Sequence, residues 1–164
     1  MQADYIRQRR QQGFMIIEAL VAILIFALGV LGLVGVNAMA GSTQSDARYR
    51  TDANRLANQI ANEIWLYADR TSQQTFSDSI AAFAHRSDVG ACDKTAGTPS
   101  QAAPVTAWVA TVTGAGLQGL PGSVAGMQQI LVDPAAGNRI TVTLCWQAPG
   151  DVWVRKHVAV TYVN

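Results

Sequence analysis

Proline is absent from the first 98 residues of this chain, and charge is nearly absent from a long stretch within them. Without proline, nothing in that region removes a backbone donor or clashes with a preceding turn, so a long uninterrupted helix is permitted there. Between Phe14 and Ala40 the only ionisable side chain is Glu18. Histidine is scarce as well: His85 and His157 are the only two, and neither has the histidine or carboxylate spacing of a zinc site. Surface or loop roles are expected for both. The later cations Arg86, Lys94, Arg139, Arg155 and Lys156 are scattered rather than gathered into a stripe with interleaved aromatics, which argues against a nucleic-acid partner. No nucleophile elbow accompanies the serines, and Asp151 and His157 within one predicted hairpin do not make a triad. No catalytic residue, metal or cofactor is therefore expected.

What the chain does contain is an apolar run after a basic leader. At about 1.5 Å per residue, residues 14–40 make a helix of about 40 Å, long enough to cross a bilayer. A carboxylate in such a segment costs about 2.5 to 3.5 kcal/mol at the centre of a membrane helix, so it calls for a partner and a task. Cutting the chain between Gly13 and Phe14 would place a new α-amino group one helical turn from Glu18, within one chain or between neighbours. The leader holds Arg7, Arg9 and Arg10 against Asp4, whereas the other flank begins with Asp46, Arg48, Arg50 and Asp52. The positive-inside rule then keeps the N-terminus cytoplasmic and the rest of the chain outside. Removing residues 1–13 takes away three arginines and one aspartate, which turns the formal charge from +1 to −1.

The segment Gly13-Phe14-Met15-Ile16-Ile17-Glu18-Ala19-Leu20-Val21-Ala22 resembles the class III signal of type IV pilins and type II secretion pseudopilins. That resemblance implies removal of residues 1–13 by a prepilin peptidase, N-methylation of Phe14, and pairing of Glu18 with the amine of an adjacent subunit during assembly. Met15 stands where the family usually has threonine. Gly29-Val30-Leu31-Gly32-Leu33 and Arg55 to Ile64 are similar to a narrower group, the PilV-type pilus modification proteins. The resemblance further implies a pilin-like α+β fold, a long N-terminal helix packed on a small antiparallel sheet. The implied setting is the inner membrane, with a periplasmic C-terminal domain, until incorporation into a pilus. Implied partners are the major pilin, other minor pilins, the prepilin peptidase, the inner-membrane assembly platform and a tip adhesin. Major pilins often carry a proline within the long helix, and its absence here leans toward a minor subunit.

The remaining residues, 41–164, suffice for one domain with its own core. Ala53, Leu56, Ala57, Ile60, Ala61, Ile64 and Ala68 recur at three- and four-residue steps, so the helix is expected to continue over residues 45–69 as an amphipathic segment. Gly29, Gly32 and Gly35 place small residues where neighbouring helices can approach, or where the helix partly melts in a filament. Phe76, Ile80 and Phe83 fit a short helix, and residues 87–90 and 96–100 read as loops. Strands are expected at 105–112, 129–132, 140–146 and 152–163, the last three as an antiparallel meander turning at 133–138 and 148–151. Ile140, Val142, Leu144 and Trp146 would then form a core face, with Cys145 on the other. Cys92 and Cys145 are an even pair in an exported segment and are expected to form a disulfide, two buried thiols being the alternative.

Three other readings define the limits. Ala38-Met39-Ala40 has the form of a secretory cleavage site that would release a soluble protein starting at Gly41. An ordinary h-region is shorter and rarely tolerates an acid. A plain membrane anchor leaves the Gly13-Phe14 junction and Glu18 unexplained. Gly114-Ala115-Gly116-Leu117-Gln118-Gly119 matches the dinucleotide fingerprint, but Pro121 and Gly122 stand where the helix should open, and Gly119-Leu120-Pro121-Gly122 resembles the turn before the final strands of many pilin-like proteins.

Overall fold

The computed structural model describes residues 3–94, 97–114 and 118–164. The chain is α+β. Helix α1 spans Ala3–Tyr67, α2 Gln73–Ala81 and α3 Ala103–Thr113; strands β1 (Gln129–Asp133), β2 (Arg139–Trp146) and β3 (Arg155–Tyr162) complete it. By internal contacts the chain divides into two compact units, Met1–Ser45 and Asp46–Asn164, with α1 contributing to each.

In the second unit the apolar stripe of α1 is the floor of the core. Ala53, Leu56, Ala57, Ile60 and Ile64 have no exposed surface, whereas Asn54, Arg55, Asn58 and Asn62 face solvent. Burying a leucine or isoleucine contributes about 1.5 to 3 kcal/mol, so the stripe outweighs any helix propensity in fixing this segment. Phe76 and Ile80 from α2, Ile130 from β1, and Ile140, Val142, Leu144 and Trp146 from β2 join the same cluster. Ser72 and Thr75 start α2 by a reciprocal capping box, each side chain accepting from the other's backbone N–H.

Residues 105–112 form helix α3 and not the expected strand. β-Branched composition favours strand, but Val105, Trp108, Val109 and Val112 are all buried at helical spacing, and Pro104 occupies the first turn, where its missing donor is harmless. Trp108 Nε1 donates to the Leu56 carbonyl at 2.8 Å, which locks α3 onto α1. Tertiary burial decides the conformation here, and the local propensity yields to it.

The sheet is an antiparallel meander in the order β1-β2-β3, as its alternation implies. Trp146, the last residue of β2, pairs with Arg155, so β3 starts three residues later than expected and residues 147–154 form the connection. Strand β3 is tied to α1 near one end by Arg155, which reaches Asp46 at 2.9 Å and Asp151 at 2.6 Å. Beyond its other end, Arg70 donates from Nε to the Asn164 carbonyl at 3.2 Å, and from Nη1 to the carbonyls of Trp65 and Ala68. The same guanidinium stacks over the Trp65 ring at 4.5 Å. It therefore caps orphan carbonyls at the end of α1 while holding the last residues of the sheet.

Cys92 and Cys145 are joined by a disulfide, with Cα atoms 5.5 Å apart. Two adjacent glutamines hold its two sides. Gln128, fully buried, accepts from the Cys145 N–H and donates to the Cys145 carbonyl, as a neighbouring strand would. The Gln129 amide donates to the carbonyls of Arg86 and Val89 at 2.9 and 2.7 Å, which fixes the loop leading to Cys92.

Two outcomes are expected of the detergent-solubilised chain. Thiol alkylation should leave the mass unchanged without reductant and add two labels with it, and the Cys92→Ser/Cys145→Ser variant should lose about 4 kcal/mol of unfolding free energy, given a separation of 53 residues. Arg70→Ala should lower urea stability by about 1 kcal/mol, and Arg70→Lys should not restore it, because an ammonium cannot serve several carbonyls and a ring face at once.

Candidate functional site

The described residues of the first unit all belong to α1, and from Phe14 to Ala40 its side chains form an almost wholly apolar cylinder. From Phe14 to Met39 the large hydrophobic residues are exposed on every side of the helix, so no amphipathic face exists for a core of this chain to cover. The helix is long and apolar enough to cross a membrane. Gly29, Gly32 and Gly35 have open space where a Cβ would sit, so no packing within the chain demands glycine there.

Gly13 and Phe14 are consecutive residues of α1, and the side chains of the leader lie outside the described part. Phe14 and Glu18 are exposed one helical turn apart. Glu18 makes no hydrogen bond or ion pair with any described residue. It is a lone carboxylate flanked by the exposed apolar side chains of Ile16, Ile17, Leu20 and Val21.

The glycine-rich segment 114–119 is only partly visible, since the fingerprint positions Ala115, Gly116 and Leu117 lie outside the described residues. Its two ends meet: a Cβ on Gly119 would collide with the Gly114 carbonyl oxygen, so glycine is needed for close approach of backbone. Leu120 is buried, and the Pro121 carbonyl accepts from Gln147 N–H at 3.0 Å, which gives the Leu120-Pro121-Gly122 turn a structural task. A cleft of about 440 Å³ lies beside it, lined by Arg48, Tyr49, Asp52, Gly114 and Gly119 to Ser123. Among the described residues, no cluster of histidine, cysteine, aspartate and glutamate could hold a metal ion.

His85 departs from its expected surface role. It is 5% exposed and forms a one-residue bridge with Ile130, while its Nδ1 accepts the Ser100 N–H at 3.1 Å. Burial lowers its pKa first, the neighbouring Arg86 charge lowers it further, and the Ala125 carbonyl pulls the other way. Protonation would place a donor on Nδ1 opposite another donor, so the fold requires the neutral ring. No periodicity in the sequence marks this, because the burial comes from the strand β1 laid over it. His157, also expected on the surface or in a loop, lies half-buried within β3 opposite Leu144.

The structure also isolates side chains to which the sequence pattern gave no role. Residues 152–154 read as the start of a strand, yet Val152, Trp153 and Val154 lie in the β2-β3 connection with Trp153 81% exposed. The signal available was the preceding Pro149-Gly150-Asp151, a turn that releases the next residues from pairing. Asp151 is held below the usual carboxylate range by its hydrogen bond from Arg155 and by that residue's charge. No protein-family model, curated protein or solved structure matches the chain.

The buried neutral imidazole predicts a pH response of definite sign. A histidine whose folded pKa lies below 6.5 takes up a proton more readily when unfolded, so its contribution to stability is intact above that pH and is lost as pH falls. The thermal midpoint should decline as pH falls below about 6.5, and His85→Gln should flatten that decline. An unchanged slope in the variant would assign the effect to another group.

Proposed function

We propose that this chain is a non-catalytic filament subunit of the type IV pilin class, a minor pilin that supports initiation and assembly of the pilus, with twitching motility and adhesion as its downstream effects. The observation that carries the reading is Glu18: the one ionisable group between Phe14 and Ala40, one turn beyond the Gly13-Phe14 junction, on a helix apolar all round and without a partner among the described residues. The α+β arrangement of a long N-terminal helix and a three-stranded antiparallel sheet is compatible with it.

On this reading the prepilin peptidase removes residues 1–13, and Phe14 becomes the N-methylated first residue. Residues 14–40 hold the chain in the inner membrane, N-terminus cytoplasmic, with residues 41–164 in the periplasm. The assembly platform then moves the subunit into a filament, where Glu18 takes the amine of a neighbouring major or minor pilin as its counter-charge and sets the register. The exposed apolar side chains of the helix fill the filament core. The domain's loops meet other minor pilins or a tip adhesin.

The N-terminal residue of the protein from native membranes and from sheared surface filaments tests the class. Methylated Phe14 in the filaments supports the proposal, whereas a soluble form beginning at Gly41 excludes it. Loss of secretion without loss of piliation or twitching in a deletion strain would assign the chain to a type II secretion system as a minor pseudopilin. Glu18→Ala should leave membrane insertion intact and impair assembly by at least about tenfold, a pairing energy of about 1.4 kcal/mol or more. Normal piliation in a strain carrying that substitution would remove the proposed mechanism.

A further inference from the structure

Val152 and Trp153 are the two most exposed large hydrophobic side chains among the described residues, at 79% and 81%. They belong to the 147–154 connection, and no described residue of this chain covers them. Their position within the second unit is fixed by ion pairs. Arg155, just past the connection, bonds Asp46 of α1 at 2.9 Å, and Arg50 of α1 lines one shallow cleft with Asp151, Trp153 and Arg155. The loop therefore sits beside residues 46–50, where the charged part of α1 begins.

That location limits what Trp153 can reach. Asp46 lies six residues beyond Ala40, the end of the apolar run. However the chain runs between them, six residues reach no further than about 20 Å. The apolar run is about 40 Å as a helix against a hydrocarbon core of about 30 Å, so its end already extends through the headgroup layer. A loop beside Asp46 is thereby held within reach of the lipid surface, and tryptophan is the side chain best suited to that layer, with an apolar ring and one N–H donor.

We infer that the Val152-Trp153-Val154 loop is a second membrane contact, in which the Trp153 indole enters the headgroup layer of the bilayer that anchors the chain. The inference rests on the membrane-spanning reading of residues 14–40. Charge plays little part in it. Arg50 pairs with Asp46 at 3.0 Å and Arg155 with Asp46 and Asp151, so the two cations and two anions beside the loop neutralise one another. The contact thus needs no anionic lipid. It would hold the domain at the surface of the membrane before assembly and would have to break when the subunit leaves the bilayer.

The test uses the full chain reconstituted in phosphatidylcholine vesicles carrying a headgroup nitroxide lipid, with tryptophan emission as readout. Co-flotation with the vesicles is checked first, and a chain that does not float overturns the membrane reading together with this inference. With flotation established, the wild-type chain should be quenched by the nitroxide, and Trp153→Phe should lose most of the quenching, leaving the weaker signal of Trp65. Replacing part of the lipid by phosphatidylglycerol or raising salt should leave the quenching unchanged. Equal quenching in wild type and Trp153→Phe would overturn the loop contact while leaving the anchor intact. Protection of Trp153 that grows with protein density and ignores the nitroxide would overturn it in favour of a contact between copies of the chain.

Discussion

Five residues of α1, Ala53, Leu56, Ala57, Ile60 and Ile64, have no solvent exposure, and every other element of the second unit is placed by reference to them. The two alanines leave room for a close neighbour, and the leucine and isoleucines fill the spaces between layers. Helix α3 uses that stripe twice: its valines pack in the shared core, and its buried Trp108 donates to the backbone of Leu56. Strand β2 contributes Ile140, Val142, Leu144 and Trp146 to the same core. Removing the stripe would leave the apolar face of a three-stranded sheet covered only in part, by the short helices α2 and α3.

The polar devices refine this arrangement without creating it. Arg155 and Arg70 act near opposite ends of β3, one through carboxylates and one through backbone carbonyls, so the strand keeps its alignment along the second half of α1. Gln128 and Gln129 supply hydrogen bonds that a further strand would have supplied, and thereby hold the two sides of the Cys92–Cys145 bond. Each is an answer to the requirement that buried backbone groups be paired.

The first unit obeys the opposite rule. Its apolar side chains remain exposed on all sides, and Glu18 stays without a partner among the described residues, so its stability belongs to the medium or neighbours that surround it. One stretch of the chain thus covers its own apolar side chains, and the other leaves them exposed.

Much was legible in the amino-acid order because it is written in period and punctuation. The apolar run, the lone Glu18, the stripe of α1, the α2 residues Phe76 and Ile80, the three-stranded meander and the Cys92–Cys145 pair all rest on local spacing, turn residues or a count of two cysteines. What tertiary structure alone decided are the cases where burial overrides local preference or gathers distant residues. Residues 105–112 are β-branched in composition yet helical, because the helical spacing of Val105, Trp108, Val109 and Val112 fits the surface that α1 presents. His85 is internal because β1, more than forty residues later, pairs with it. Trp153 is exposed beside Asp46 because Arg155 bonds a helix residue more than a hundred positions earlier. Periodicity is a property of neighbours in the chain, and these outcomes depend on neighbours in space.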